Sequence, residues 1–87
     1  MNKQAERKHN TTKLIGAIAR DYRICHGVPL KALSDDTGFS SQLLLAFEQG
    51  RTSNYIILLD GYFQLGTMDE QYNLLDKLCE VIENGKP

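Results

Sequence analysis

Eighty-seven residues suffice for one domain and are too few for two, and a core of that size promises modest stability. The formal net charge of −1 is not that of a strong, uniformly basic nucleic-acid binder. No apolar run approaches the roughly 18 residues of a membrane span, and the opening MNKQAERKHN has no apolar stretch of a secretory signal; no membrane association and a cytoplasmic location are expected.

Charge is unevenly placed along the chain. Residues 1–31 hold seven cations (Lys3, Arg7, Lys8, Lys13, Arg20, Arg23, Lys31) against two anions, and residues 32–87 hold three cations against nine anions. This is a basic arm attached to an acidic body. Phosphate attraction is local, so a polarised chain can bind DNA, and equally an acidic or basic protein.

Residues 1–10 are polar without periodicity and read as a mobile arm. Thr11 or Thr12 caps a first helix to about Cys25, whose apolar positions Leu14, Ile15, Ile18, Ala19, Tyr22 and Cys25 recur at intervals of three and four. Gly27 ends it, and Pro29 opens a short second helix at a position where its missing amide costs nothing. That helix ends near Thr37, and a third spans Ser41 to Gln49. GRTSN at 50–54 carries loop chemistry, with Ser53 or Asn54 capping a fourth helix from Tyr55 to about Leu65. Gly61 inside it either costs about 1 kcal/mol relative to alanine or stands there to permit close packing. Gly66 stops the helix, and Thr67 with Glu70 forms a capping box for a fifth that runs to Glu83 or Asn84.

Cys25 and Cys79 have no companion cysteines and are expected as two buried thiols, with a disulfide between them the alternative. Neither His9 nor His26 stands at a zinc-like interval from them, so no metal site is expected. With no glycine-rich phosphate loop, no identifiable triad and no paired carboxylates in a cleft, neither catalysis nor a cofactor is expected.

Residues 27–51, GVPLKALSDDTGFSSQLLLAFEQGR, have the spacing of a helix-turn-helix. Leu33 is apolar and Ser34 small where the helices cross, Gly38 makes the turn, and Phe39 plugs the corner. Ser40 caps the second helix, Leu44 and Phe47 face inward, and Glu48 and Gly50 close it. Together with Arg23 of RDYR, the E-x-G-R of Glu48, Gly50 and Arg51, and the later LGT, the chain resembles the lambda-repressor-like, or Cro/C1-type (XRE), DNA-binding domain from about Leu14 to about Glu70.

The resemblance implies an all-α, compact five-helix domain containing a helix-turn-helix, with a flexible basic N-terminal arm. Residues 1–10 would be the arm, 11–66 the helix-turn-helix domain, and 67–87 a C-terminal dimerisation helix. It implies that Arg23 and Glu48 form a structural ion pair fixing the third helix against the first. It also implies that Ser41, Gln42 and Ala46 meet base edges in double-stranded DNA. Of these Gln42 is the strongest candidate, because glutamine pairs with adenine through two hydrogen bonds in the major groove. Backbone contacts would come from Ser40, Lys31, Arg51, Thr52, Ser53 and Asn54, and from Lys3, Arg7 and Lys8 of the arm.

Two features leave a second reading open. Leu43 and Leu45, flanking the inward Leu44, are expected to point outward, and no Lys or Arg occurs between Lys31 and Arg51. Exposed leucines suit a protein partner better than a groove lined with phosphates. The last helix carries one stripe of Met68, Tyr72, Leu75, Cys79 and Ile82 beside a second of Leu74, Leu78 and Val81. Either a wide apolar face completes the monomer core, or one stripe makes a homodimer through Tyr72, Leu75, Leu78, Cys79 and Ile82. The expected function is a sequence-specific transcriptional regulator, a dimeric repressor of phage or mobile-element type acting by promoter occlusion. The alternative is an interaction module (anti-repressor, inhibitor or antitoxin-like) that uses Leu43 and Leu45 or the last helix.

Overall fold

Among the described residues the apolar intervals of three and four become five helices and no strand. A computed structural model describes residues 3–52 and 55–84, with the backbone alone for residues 3–10, 55 and 84. The helices are α1 (Lys3–Cys25), α2 (Leu30–Thr37), α3 (Ser41–Glu48), α4 (Tyr55–Phe63) and α5 (Met68–Asn84). The protein is all-α.

The clearest departure from expectation is the start of α1, which lies at Lys3 and not at Thr11 or Thr12. Gln4, Ala5, Glu6, Arg7 and Lys8 are all strong helix formers, so nothing in 3–10 interrupts the helix. Thr11 and Thr12 therefore sit inside α1, and Thr12 is buried. At the start of α2, Pro29 is the extended cap (φ −66°, ψ 152°) and Leu30 the first helical residue.

The core is built around α1, which packs against α3, α4 and α5. Ile15 and Ala19 of α1 meet Leu33, Leu44, Phe47, Leu58, Tyr62, Leu74, Leu78 and Val81. Phe47 and Tyr62 pack edge to face with ring centroids 5.3 Å apart, the orientation that aromatic quadrupoles favour. Gly16 brings α1 and α3 together: a Cβ on it would stand 2.2 Å from the Phe47 carbonyl oxygen and 2.8 Å from that of Glu48. Gly61 plays the same part between α4 and α2, where an added Cβ would come within 2.6 Å of the Thr37 methyl. Its cost in helix propensity is thus offset by close packing.

Candidate nucleic-acid interface

Three local interactions fix the angle at which α3 leaves α2. Gly38 adopts a left-handed backbone (φ 82°) and its N–H donates to the Ser34 carbonyl at 2.9 Å, closing α2 at a position where a side chain would be strained. The Ser34 hydroxyl donates to the Phe39 carbonyl at 2.6 Å. The Thr37 hydroxyl donates to the Leu33 carbonyl at 2.8 Å and accepts from the Phe39 N–H at 3.2 Å. Ser34 is therefore small and also a donor that pins the turn.

Ser40 then caps α3, its hydroxyl oxygen accepting from the Leu43 N–H at 3.1 Å. The amides of Ser41 and Gln42, in the first turn, have no intrahelical acceptor, so the positive end of the helix faces solvent. Ser40, Ser41 and Gln42 are all exposed. Ala46, one turn further, is half-buried. The two leucines expected to point outward differ. Leu45 is 42% exposed, whereas Leu43 is half-buried against the core. The core therefore takes up one of the two.

The far end of α3 is anchored by charge. Glu48 is 5% exposed and receives Arg23 in a two-point contact, Nε to Oε2 at 2.7 Å and Nη2 to Oε1 at 2.9 Å. Arg23 Nη1 also donates to the Val28 carbonyl at 2.8 Å. The Tyr62 hydroxyl donates to Glu48 Oε2 at 2.7 Å, a partner that sequence reasoning missed. The signal was available: a tyrosine on a wholly apolar stripe with Leu58 and Leu59 needs a buried acceptor for its hydroxyl. Burial, then the Glu48 hydrogen bond, pushes the Tyr62 hydroxyl well above the usual phenol range. The same carboxylate raises Arg23 and keeps it charged.

Of the cations expected to seat a phosphate backbone, Lys31 and Arg51 are exposed. Arg51 closes α3 with its N–H on the Ala46 carbonyl at 2.8 Å, and its Nε donates to Gln49 Oε1 at 2.9 Å. Thr52 is half-buried. Ser53 and Asn54 lie outside the described residues, as do the side chains of Lys3, Arg7 and Lys8, whose backbone continues α1. Gly50 rests on α1, and a Cβ there would be 2.6 Å from the Cα of Lys13. Exposed Lys13, unassigned from sequence, thus flanks Arg51.

On α5 the two stripes separate. Leu74, Leu78 and Val81 are buried, while Met68, Tyr72, Leu75, Cys79 and Ile82 are exposed. Leu78, expected at a dimer face, is a core residue because its stripe is the one that meets α1. The expectation of two buried thiols is likewise corrected: Cys25 and Cys79 are free and exposed. Cys79 falls on the outward stripe, and Cys25 lies in the last turn of α1, where the apolar stripe runs out to the surface.

Between α1 and α5 lies a cleft of about 270 Å³ whose lining includes Tyr22, Cys25, His26, Glu70 and Lys77. His26 bridges the two helices, with Nδ1 2.7 Å from the Tyr22 carbonyl and Nε2 2.8 Å from Glu70 Oε2. Glu70 also completes the capping box, accepting from the Thr67 N–H at 2.9 Å while its own N–H donates to the Thr67 hydroxyl at 3.3 Å. The Thr67 hydrogen bonds, and after them His26, hold its carboxyl below the ordinary range. A carboxyl lowered in the folded state contributes stability above its unfolded pKa and loses it as pH falls through the folded one. Acid titration followed by circular dichroism should therefore show stability falling below the ordinary glutamate range, with Glu70→Gln flattening that limb. A variant as acid-sensitive as the parent would remove Glu70 from the account.

No family model, curated protein or solved structure matches this chain.

Proposed function

We propose that the chain is a lambda-repressor-like helix-turn-helix domain that binds double-stranded DNA in a sequence-specific manner and regulates transcription. The observation that carries this reading is the N-terminal end of α3. It is capped by Ser40, open to solvent at Ser41 and Gln42, and held at its far end by Glu48, Arg23 and Tyr62. A reading helix needs this combination, because base recognition requires a polar tip whose position does not wander.

In the proposed complex Gln42 pairs with an adenine through its side-chain amide, and Ser41 meets a base or phosphate beside it. Ser40 keeps its hydroxyl hydrogen for a phosphate while its oxygen serves the cap, and the free amides of the first turn face the same anion. Lys31 and Arg51 hold the backbone on either side. Half-burial of Leu43 leaves Leu45 as the outward leucine of α3, and an apolar side chain there suits a thymine methyl. A protein of phage or mobile-element type working this way represses by covering a promoter.

Selection from random duplexes at physiological salt, followed by gel retardation, tests the proposal. The wild type should enrich one site, and Gln42→Ala should weaken binding to that site by about 1–3 kcal/mol while leaving unrelated duplexes unaffected. Lys31→Ala should weaken all duplexes alike. A chain that retards no fragment even at low salt does not have this function.

A further inference from the structure

We propose that the exposed face of α5 docks a basic amphipathic helix from a different protein. Met68, Tyr72, Leu75, Cys79 and Ile82 form an apolar seam with alternating four- and three-residue steps, the seam of a helix that pairs with another. Met68, Tyr72, Leu75 and Ile82 are 71%, 62%, 46% and 53% exposed. The groove of about 240 Å³ where Met68, Tyr72 and Leu75 meet Phe63 and Gln71 offers a seat for one large apolar side chain.

Charge decides the occupant. With Met68, Leu75 and Ile82 at d and Tyr72 and Cys79 at a, the e positions are Asp69, Asp76 and Glu83, all acidic and all exposed. Glu80 lies just beyond them on the same side. None of the four belongs to an ion pair among the described residues.

This row weighs against a second copy of the chain. Antiparallel self-pairing sets e against e, so Asp76 would oppose Asp76 and Asp69 would oppose Glu83. Parallel self-pairing sets e against g, and the g edge is already used: Leu78 is buried and Gln71 donates to the Gly66 carbonyl at 3.1 Å. Nucleic acid and anionic lipid are repelled by the same carboxylates. A helix with apolar a and d residues and Lys or Arg along its flank satisfies both halves of the surface.

The proposal is independent of the DNA reading, and its test uses the full chain without DNA. Two synthetic helical peptides share one Leu/Ile seam spanning Met68 to Ile82, one flanked by Lys and the other by Glu. Fluorescence anisotropy should show the Lys peptide binding at least about ten-fold more tightly, with the gap closing at high salt. Asp69→Lys, Asp76→Lys and Glu83→Lys together should reverse that order. Tyr72→Ser with Leu75→Ser should abolish binding of both peptides while circular dichroism stays unchanged, since both side chains are exposed. Gln42→Ala should leave peptide affinity unchanged, which separates this surface from the DNA tip. The proposal is overturned if neither peptide binds, if both bind equally, or if the chain sediments as a dimer whose Cys79 thiols cross-link across α5.

Discussion

Replacing Glu48 with alanine is expected to lower stability by about 3–5 kcal/mol, the largest loss for any single substitution considered for this domain. The carboxylate satisfies three donors, two on Arg23 and the hydroxyl of Tyr62, at 2.7–2.9 Å. Without it the buried Tyr62 hydroxyl loses its acceptor, and the partly buried Arg23 guanidinium loses its counter-charge and keeps only the Val28 carbonyl. Against a total stability of about 5–15 kcal/mol, that loss is a large share, and toward the lower end, where a small core places the domain, it brings unfolding close. Urea denaturation reads it directly. Tyr62→Phe removes one donor and its own need for a partner together, so it should cost only about 1 kcal/mol. Replacing Arg23 and Glu48 together with Met and Leu should cost less than Glu48→Ala alone, because the Tyr62 hydroxyl is then stranded but no charge is. A Glu48→Ala loss below about 1 kcal/mol would mean the triad does not anchor α3.

Gly16→Ala should destabilise even though it inserts a better helix former. Alanine gains about 1 kcal/mol over glycine in a helix interior. Here the new Cβ would lie 2.2 Å from one backbone carbonyl oxygen of α3 and 2.8 Å from the next. Backbone cannot swing aside as a side-chain end can, so α3 must shift as a body, at a cost of about 1–3 kcal/mol or more beyond the propensity gain. The neighbouring Ala17 is exposed, and Ala17→Gly should cost only the propensity difference of about 1 kcal/mol. Both substitutions therefore lower the midpoint of thermal unfolding, for opposite reasons. A higher midpoint for Gly16→Ala would mean α1 and α3 do not cross as closely as described.

Local chemistry was the most legible part of the chain. Gly38 and Ser40 could be assigned because a left-handed turn and a free helix amide each admit few residue types. The Thr67–Glu70 box was equally plain, since both of its bonds are short-range. The resemblance supplied Arg23 with Glu48, although residues 25 positions apart leave no local trace. The sequence leaves open whether Gly61 permits close packing and says nothing of Gly16, because a glycine's purpose depends on what lies opposite. The start of α1 is not legible because Thr11 and Thr12 resemble caps, and local capping preference loses to a continuous run of helix formers before them. The two stripes of α5 are legible from helical spacing, but not which of them is buried, so Leu78 is expected at a dimer face and lies in the core: two adjacent apolar stripes do not announce which one meets the body.

The solvent-facing first turn of α3 is the surface proposed to meet DNA. Titrating the isotopically labelled chain with the duplex recovered by selection, and following backbone amides by NMR, tests it most directly. The largest shifts are expected at Ser41 and Gln42, smaller ones at Lys31 and Arg51, and little change along the exposed stripe of α5. Shifts confined to α5, or none at the α3 tip under conditions where the duplex is bound, would contradict it.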